Sequence, residues 1–324
     1  MRVMTAADVD ARLDDASLIE ALREAFRGEC ATPPRHRHSV PPADGAGNGG
    51  GGVMLIKPAW RPGGPIVVKI VNVFPDNARR GLASVQGSVM LFDGATGEAL
   101  AAIDGRALTV RRTAAASALA ADYLARRDAR RLLVVGTGQL APALARAHAA
   151  VRPIETVEIW GRTPDKAVAL ARALTSNGIA ATAAAVLEDA VRRADIVACA
   201  TLAHDPLIRG EWLLPGVHLD LVGSFAPDMR EADDAAMRRA RLYVDTRDGA
   251  LAEAGELVQA IASGAIVAGD VVGDLAELCR GEVAGRNSDD EVTLFKSVGT
   301  ALEDLAAAEL AYGRMGAPTE EPAS

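Results

Sequence analysis

A short apolar run, Leu132-Leu133-Val134-Val135, passes directly into Gly136-Thr137-Gly138-Gln139-Leu140-Ala141, and this junction constrains the fold more than any other stretch. The pattern is GxGxxA. Its first glycine permits a tight turn, its second lets backbone N–H groups approach a pyrophosphate, and its small third residue lets a helix pack close to the strand. Leu140, Ala143, Leu144, Ala147 and His148 then recur at helical spacing. The turn therefore joins a strand to a helix whose N-terminus attracts phosphate. A second strand follows at Thr156 to Trp160. This is a dinucleotide-binding unit, with Gly136, Thr137, Gly138, Gln139, Leu140 and Ala141 around the phosphates.

The end of the second strand selects the dinucleotide, because the ribose 2′ position is read about 20 residues beyond the last glycine position. The residues there are Gly161-Arg162-Thr163. No carboxylate is present to hydrogen-bond a free 2′-hydroxyl and repel a 2′-phosphate. Arg162 offers a fork of donors suited to a phosphate, Thr163 adds a hydroxyl, and Lys166 lies about one helical turn further on. The expected cofactor is NADPH, with NADH as the alternative.

A chain of 324 residues has room for two domains. Its 49% hydrophobic and 24% charged residues are those of an ordinary globular protein, and a net charge of -8 argues against a nucleic-acid surface. Cys30, Cys199 and Cys279 are too widely spaced to suggest a disulfide framework or a zinc site. No run approaches about 18 uninterrupted apolar residues, and the first residues hold no apolar signal core. A cytoplasmic protein without a membrane span is expected.

Thr5 and Ser17 are each placed to cap a short helix. Pro33-Pro34 then ends helical structure, and Arg35-His36-Arg37-His38 forms a cationic cluster before Pro41-Pro42. With arginine beside each histidine and no carboxylate or cysteine, the cluster reads as a basic loop or an anion contact and not as a metal site. Residues 45–52 are glycine-rich and read as a surface hairpin turn. Strand-like runs at Val53–Ile56, Ile66–Val73, Ser88–Phe92 and Leu100–Ile103, separated by short turns, predict an antiparallel sheet. Lys69 interrupts one of them on the face of Val67 and Val71, where an ammonium needs an anion or water. Arg111 and Arg112 precede a long alanine-rich helix. Two arginines in a first turn are misplaced against the helix dipole, and a nearby anion would resolve the misfit.

From about residue 122, strands and helices alternate: helix 164–176, strand 180–186, helix 187–193, strands 196–200 and 218–222, helix 228–239 and strand 242–245. That alternation predicts a doubly wound parallel sheet. Ligands of such sheets lie at the carboxyl ends of strands, which places Thr201, Leu202, Gly223, Ser224 and Phe225 around the nicotinamide. Asp228 is spaced from Glu231 as in a capping box. Phe295 to Thr300 reads as a glycine-bearing loop opening an amphipathic helix that packs back on the first domain. Residues after about 314 read as disordered.

These motifs resemble the ornithine cyclodeaminase and mu-crystallin family along nearly the whole chain. The resemblance is carried, in order, by Lys69 in its apolar strand, LTVRRTAAASALAA at 108–121, VVGTGQLA at 134–141, IWGRTPDKA at 159–167, GSFAPDMRE at 223–231 and LFKSVGTALEDLAAA at 294–308. It implies an α/β protein with a Rossmann domain over 122–294 and an α+β substrate-binding and dimerisation domain, with an antiparallel sheet, over 1–121 and 295–324. It also implies a homodimer. In the family an arginine after the proline stretch, the strand lysine and the arginine before TAAA surround a small amino-acid-like ligand. The corresponding residues are Arg35 or Arg37, Lys69 and Arg112, with Phe225 and Gly299 also at the substrate.

One departure bears on the reaction. Cyclodeaminases of the family carry a catalytic aspartate two residues before the proline of the loop after the fifth strand, and that position is Phe225. The carboxylate follows the proline, Pro227-Asp228, as in the family's ketimine reductases. The resemblance thus implies NADPH-dependent reduction of a cyclic imino acid, Δ1-pyrroline-2-carboxylate or Δ1-piperideine-2-carboxylate, with Lys69 as proton donor or relay and Asp228 as a second candidate. The alternatives are an ornithine cyclodeaminase, an alanine or opine-type dehydrogenase, and a non-catalytic NADPH-dependent ligand-binding protein. Met54, Val85 and Phe225 are candidates for setting the ring size.

Overall fold

The structure, a computed structural model, describes residues 1–42 and 51–315. Most of the glycine-rich stretch at 45–52 and nearly all residues after 314 lie outside the described residues. The chain divides into two compact units, one of Met1–Ala21, Glu29–Arg112 and Ala301–Ser324, the other of Leu22–Gly28 and Thr113–Thr300.

The first unit is built on six strands: β1 (Arg2–Met4), β2 (His36–Val40), β3 (Gly52–Trp60), β4 (Ile66–Val73), β5 (Val85–Phe92) and β6 (Ala99–Asp104). Their order is β1-β6-β5-β4-β3-β2. The four expected runs each seed one of β3 to β6, and these pair antiparallel. β1 adds in parallel to β6, so the sheet is mixed. Period two sets the buried face, where Ala59, Val67, Lys69, Val89, Leu91, Ala101 and Ile103 are inaccessible or nearly so.

Three local expectations change here. The basic stretch after Pro33-Pro34 is not a loop, since His36–Val40 forms the edge strand β2. Its exposed charged side chains suit an edge, where they discourage pairing with a further strand. Asp14, not Ser17, caps the second helix, Asp15–Arg27, because Asp14 Oδ1 accepts from the Ser17 N–H at 2.9 Å. The alanine-rich helix starts at Gly105 and runs to Leu124, with Asp104 accepting from the Ala107 N–H at 2.8 Å. Arg111 and Arg112 therefore stand in its second turn, beyond the first-turn N–H groups that carry the positive end of the helix dipole.

The final helix, Ala301–Gly313, packs on β3, β4 and β5 as expected of a returning helix. It is not amphipathic. Every residue from Ala301 to Ala308 is buried, including Glu303 and Asp304.

The second unit holds eight strands: β7 (Arg131–Val135), β8 (Thr156–Trp160), β9 (Ala181–Ala183), β10 (Ile196–Cys199), β11 (His218–Leu221), β12 (Arg241–Val244), β13 (Val271–Asp274) and β14 (Thr293–Lys296). They run in the order β13-β12-β14-β11-β10-β7-β8-β9, all parallel. Buried on both faces, these strands read as continuous apolar runs and not as alternating ones. Leu133, Val135, Val197, Leu219, Leu221, Val244 and Leu294 form their shared core. β14 departs from expectation: Phe295 and Lys296, read as the start of a loop, end a central strand between β11 and β12. The helix expected over 228–239 is confined to Asp234–Arg239 and is capped by Asp233. The Asp228 capping box does not form, because the Glu231 carboxylate is engaged elsewhere. The fold is α/β, a doubly wound parallel sheet joined to a unit with a predominantly antiparallel one.

One buried polar pair makes stability depend on pH. On β11 the Asp220 carboxyl faces His148 Nε2 at 3.7 Å and accepts from the Ser117 hydroxyl at 3.2 Å. Burial pushes Asp220 up to about 7 and His148 down to about 4, so near pH 6 acid and imidazole are both neutral. An acid whose folded value is raised costs stability progressively as pH climbs from its unfolded value to its folded one. Asp220→Asn should therefore gain stability relative to the unsubstituted chain as pH rises from about 4 to about 7, by an amount on the order of a few kcal/mol. Thermal melts of both proteins across that range measure it, and a difference that does not change with pH contradicts the assignment.

Candidate active site

The end of β7 opens on a cavity of about 600 Å³ within the parallel-sheet unit. Gly136, Thr137 and Gly138 form one wall. Gly136 adopts φ 130°, and a Cβ there would lie 2.5 Å from the Ala200 carbonyl, so only glycine fits. A Cβ on Gly138 would meet nothing within 4 Å, which leaves room for a phosphate beside the N-terminus of helix Leu140–Val151. Gln139 caps that helix and Ala141 is fully buried against the sheet.

The opposite wall carries Trp160, Gly161, Arg162, Thr163 and Lys166. Thr163 is the N-cap of helix Pro164–Ser176, and its hydroxyl makes no capping hydrogen bond. Arg162, Thr163 and Lys166 thus converge at one helix N-terminus, all three exposed. Such a set suits a phosphate monoester.

The third wall is the loop after β10, with Ala200, Thr201, Leu202, Ala203 and His204. Leu202 is 69% exposed, an apolar side chain lying open at a cavity wall where a flat ring can cover it. A buried network holds this loop. The Glu231 carboxylate accepts from the Thr201 N–H at 2.7 Å, the Thr201 hydroxyl at 2.8 Å and the Gly223 N–H at 2.8 Å. The Glu231 N–H in turn donates to Glu256 at 2.8 Å, and Lys296 stands 3.3 Å from the Glu256 carboxylate while donating to the Leu221 and Ser224 carbonyls. Ser224 donates its hydroxyl to Glu256 and is buried. Its side chain and Gly223 therefore anchor the loop and are not among the residues lining the cavity. Phe225 is 38% exposed in the same loop. Asp228 is exposed, and its side chain lies 3.5 Å from the ring of His204. Gly299 is fixed by its N–H donating to Asp245 at 2.6 Å.

The first unit carries a second constellation. Lys69 is 2% exposed on β4, with its Nζ 2.7 Å from Asp304 and 3.3 Å from the Thr109 hydroxyl. Arg112 bonds Glu303 and lies 3.0 Å from Asp304. Lys57, the register partner of Lys69 on β3, is also buried. Burial drives the Lys69 ammonium well below the usual lysine range, and the Arg112 charge adds to the shift. Burial pushes Asp304 the other way, but Arg112, Lys69 and Lys57 together hold it below the ordinary carboxylate range. Asp304 is thus favoured as the ionised partner, and burial weakens the hold of Lys69 on its proton. Of the two arginines left open after Pro33-Pro34, Arg35 acts on Lys57 through its charge, whereas Arg37 is exposed on the edge strand.

Residues 1–318 match the ornithine cyclodeaminase/mu-crystallin family. The chain belongs to that family. The Δ1-pyrroline-2-carboxylate reductase of Paracoccus denitrificans is 48% identical over 257 residues, covering 78% of this chain and 81% of the relative. That of Colwellia psychrerythraea is 37% identical over 311 residues, covering 95% and 97%. Among solved structures, the Δ1-pyrroline-2-carboxylate reductase of Thermococcus litoralis in complex with NADH and L-proline superposes with a TM-score of 0.90 at 32% identity, covering 97% of each chain.

Lys57, Glu303, Asp304, Glu231, Glu256 and Lys296 escape the sequence reading. Lys57 had a detectable signal, a lysine in an apolar strand like Lys69. Glu256, Glu303 and Asp304 had none, since a buried acid on a helix is indistinguishable in sequence from a solvated one. Among the described residues no group of three or more histidines, cysteines or carboxylates is placed to hold a metal ion.

The Glu231 network yields a test. Glu231→Ala leaves the Thr201 and Gly223 N–H groups without their acceptor and should lower stability by about 3 kcal/mol and weaken cofactor binding. Glu231→Gln, which keeps one acceptor oxygen for Thr201 but turns its amide NH2 toward the Gly223 N–H, should recover part of both. Equal losses in the two variants, read by thermal melts and fluorescence titration, would show that the acceptor oxygen is not what matters.

Proposed function

We propose that the chain reduces Δ1-pyrroline-2-carboxylate, and its six-membered homologue Δ1-piperideine-2-carboxylate, to L-proline and L-pipecolate with NADPH. That it is a nicotinamide-dependent oxidoreductase acting on C=N rests on the reductases among its relatives. The observation that carries the substrate class is the buried cationic cluster of the first unit. Lys57, Lys69 and Arg112 gather there around Glu303 and Asp304, more basic groups than acidic ones, a setting that favours a carboxylate.

NADPH, when bound, supplies the hydride. The chain's own residues orient and protonate. Arg112 and Arg35 hold the substrate carboxylate, and the fork of Arg112, locked by Glu303 and Asp304, fixes its direction. Lys69 holds a proton at the ring nitrogen, keeping the imine cationic and so receptive at carbon. A lysine lowered by burial suits that task, because it gives up a proton more readily than an ordinary lysine. Phe225 supports the reductive direction. Where a cyclodeaminase has its aspartate, an aromatic ring packs on substrate methylenes, worth about 0.8 kcal/mol for each CH₂ buried, and it offers no base to a water. We further read the protein as a cytoplasmic homodimer, an assembly also named for a related archaeal alanine dehydrogenase.

Three outcomes are expected. Arg162→Ala should raise the KM for NADPH about tenfold and leave that for NADH nearly unchanged; equal losses would remove the 2′-phosphate assignment. Lys69→Met should stay folded and bind NADPH while kcat/KM for the imine falls by about 100-fold or more; activity surviving within a few-fold would leave Lys69 a structural lysine. Assayed side by side, the two cyclic imines with NADPH should be turned over and ornithine with NAD+ should release no ammonia. Ammonia and proline from ornithine, without imine reduction, would establish the lyase instead.

A further inference from the structure

Lys57 belongs to none of the motifs above, yet it stands directly across from Lys69, their Cα atoms being register partners on β3 and β4. The two side chains are 7% and 2% exposed. Opposed residues on antiparallel strands bring their Cβ atoms to about 4.5–5.5 Å, and like charges there repel, the more so away from water.

The groups that face this pair come from three further elements. Arg35 precedes β2, Arg112 belongs to helix Gly105–Leu124, and Glu303 and Asp304 belong to helix Ala301–Gly313. Among these six groups two lysines and two arginines stand against two carboxylates, so the bases outnumber the acids by two if every base is protonated. Arginine does not give up its proton in a protein. Only the lysines can relieve the surplus, and burial lowers both, Lys57 to about 8 and Lys69 well below the ordinary lysine range.

We propose that without ligand the Lys57–Lys69 pair holds less than its full charge, and that a substrate carboxylate is bound together with a proton taken up by the pair. This rests on the reading of the cluster as the carboxylate site. The carboxylate brings one negative charge and the proton one positive, so the net charge of the site does not change on binding. Lys57 is then a positioning residue. Its charge keeps Lys69 short of a proton until a carboxylate arrives, and the substrate itself loads the proton that Lys69 presents to the ring nitrogen.

The test is calorimetric. Pyrrole-2-carboxylate, a planar five-membered ring with a carboxylate and no basic amine, is titrated into the full chain with NADPH near neutral pH, once in phosphate and once in Tris. The binding enthalpies should differ by the difference in buffer ionisation enthalpy times about one proton per chain. Lys57→Arg, a permanent cation in the same place, should retain the uptake. Lys57→Met, which relieves the repulsion and lets Lys69 keep its proton beside Asp304, should reduce it to less than half. Thermal melts establish that both variants are folded. Equal enthalpies in the two buffers for the unsubstituted chain would overturn the proposal while leaving the carboxylate site in place, as would undiminished uptake in Lys57→Met or lost uptake in Lys57→Arg. No binding of the probe to the unsubstituted chain would overturn both this inference and the reading on which it rests.

Discussion

Asp304 is the group on which the first unit depends. Its carboxylate meets Lys69 at 2.7 Å and Arg112 at 3.0 Å, and it also feels the charge of Lys57. Placing these cations together in an apolar interior is strongly unfavourable unless an anion is fixed among them. The anion comes from the far end of the chain, 235 residues beyond Lys69. The final helix must therefore return to the sheet formed at the beginning, and in sequence the parallel-sheet unit, apart from Leu22–Gly28, is an insertion between Arg112 and Ala301. The same requirement accounts for a helix buried from Ala301 to Ala308 that still contains two consecutive acids.

The second unit contains a lysine that looks equivalent and behaves differently. Lys296 ends β14 fully buried, beside Glu256 and close enough to Glu231 to act on it. There the balance is reversed, with two acids to one base. The extra acceptor capacity is taken up by the chain itself, through the Thr201, Gly223 and Glu231 N–H groups and the hydroxyls of Thr201 and Ser224. A network whose members are satisfied internally rigidifies the loops it joins. The Lys57, Lys69 and Arg112 cluster has more bases than acids among its named members, and that sign, more than burial of the lysine, distinguishes it from the Lys296 network.

This distinction marks the limit of what the sequence reveals. The glycine turn at 136–141, the helices 164–176 and 187–193 and most of the strands were legible because glycine conformations, proline stops and apolar periods are local properties. Lys69 was legible because one charge breaks an apolar run. β14 was not, since its four residues can be told from a loop only by the strands that flank them. Glu231 was misread for a related reason: its spacing from Asp228 satisfies a local capping rule, and tertiary demand from Thr201 and Gly223 overrides it. The family resemblance singled out Arg112, but the local reason, a misfit in a first helical turn, was incorrect, since its partners are acids on the last helix. Pairings between distant segments carry no local mark.

The two sites also differ in how firmly they are built. Arg162, Thr163 and Lys166 are exposed and joined to the helix Pro164–Ser176 only through the backbone, so each can be replaced with little effect on folding. Lys69, Arg112, Glu303 and Asp304 are buried and mutually paired, so removing one leaves another as an uncompensated charge. On the proposed reading, preference between the two nicotinamide dinucleotides is therefore open to change by single surface substitutions. Recognition of a carboxylate is not, because the groups that would perform it also hold the final helix to the sheet.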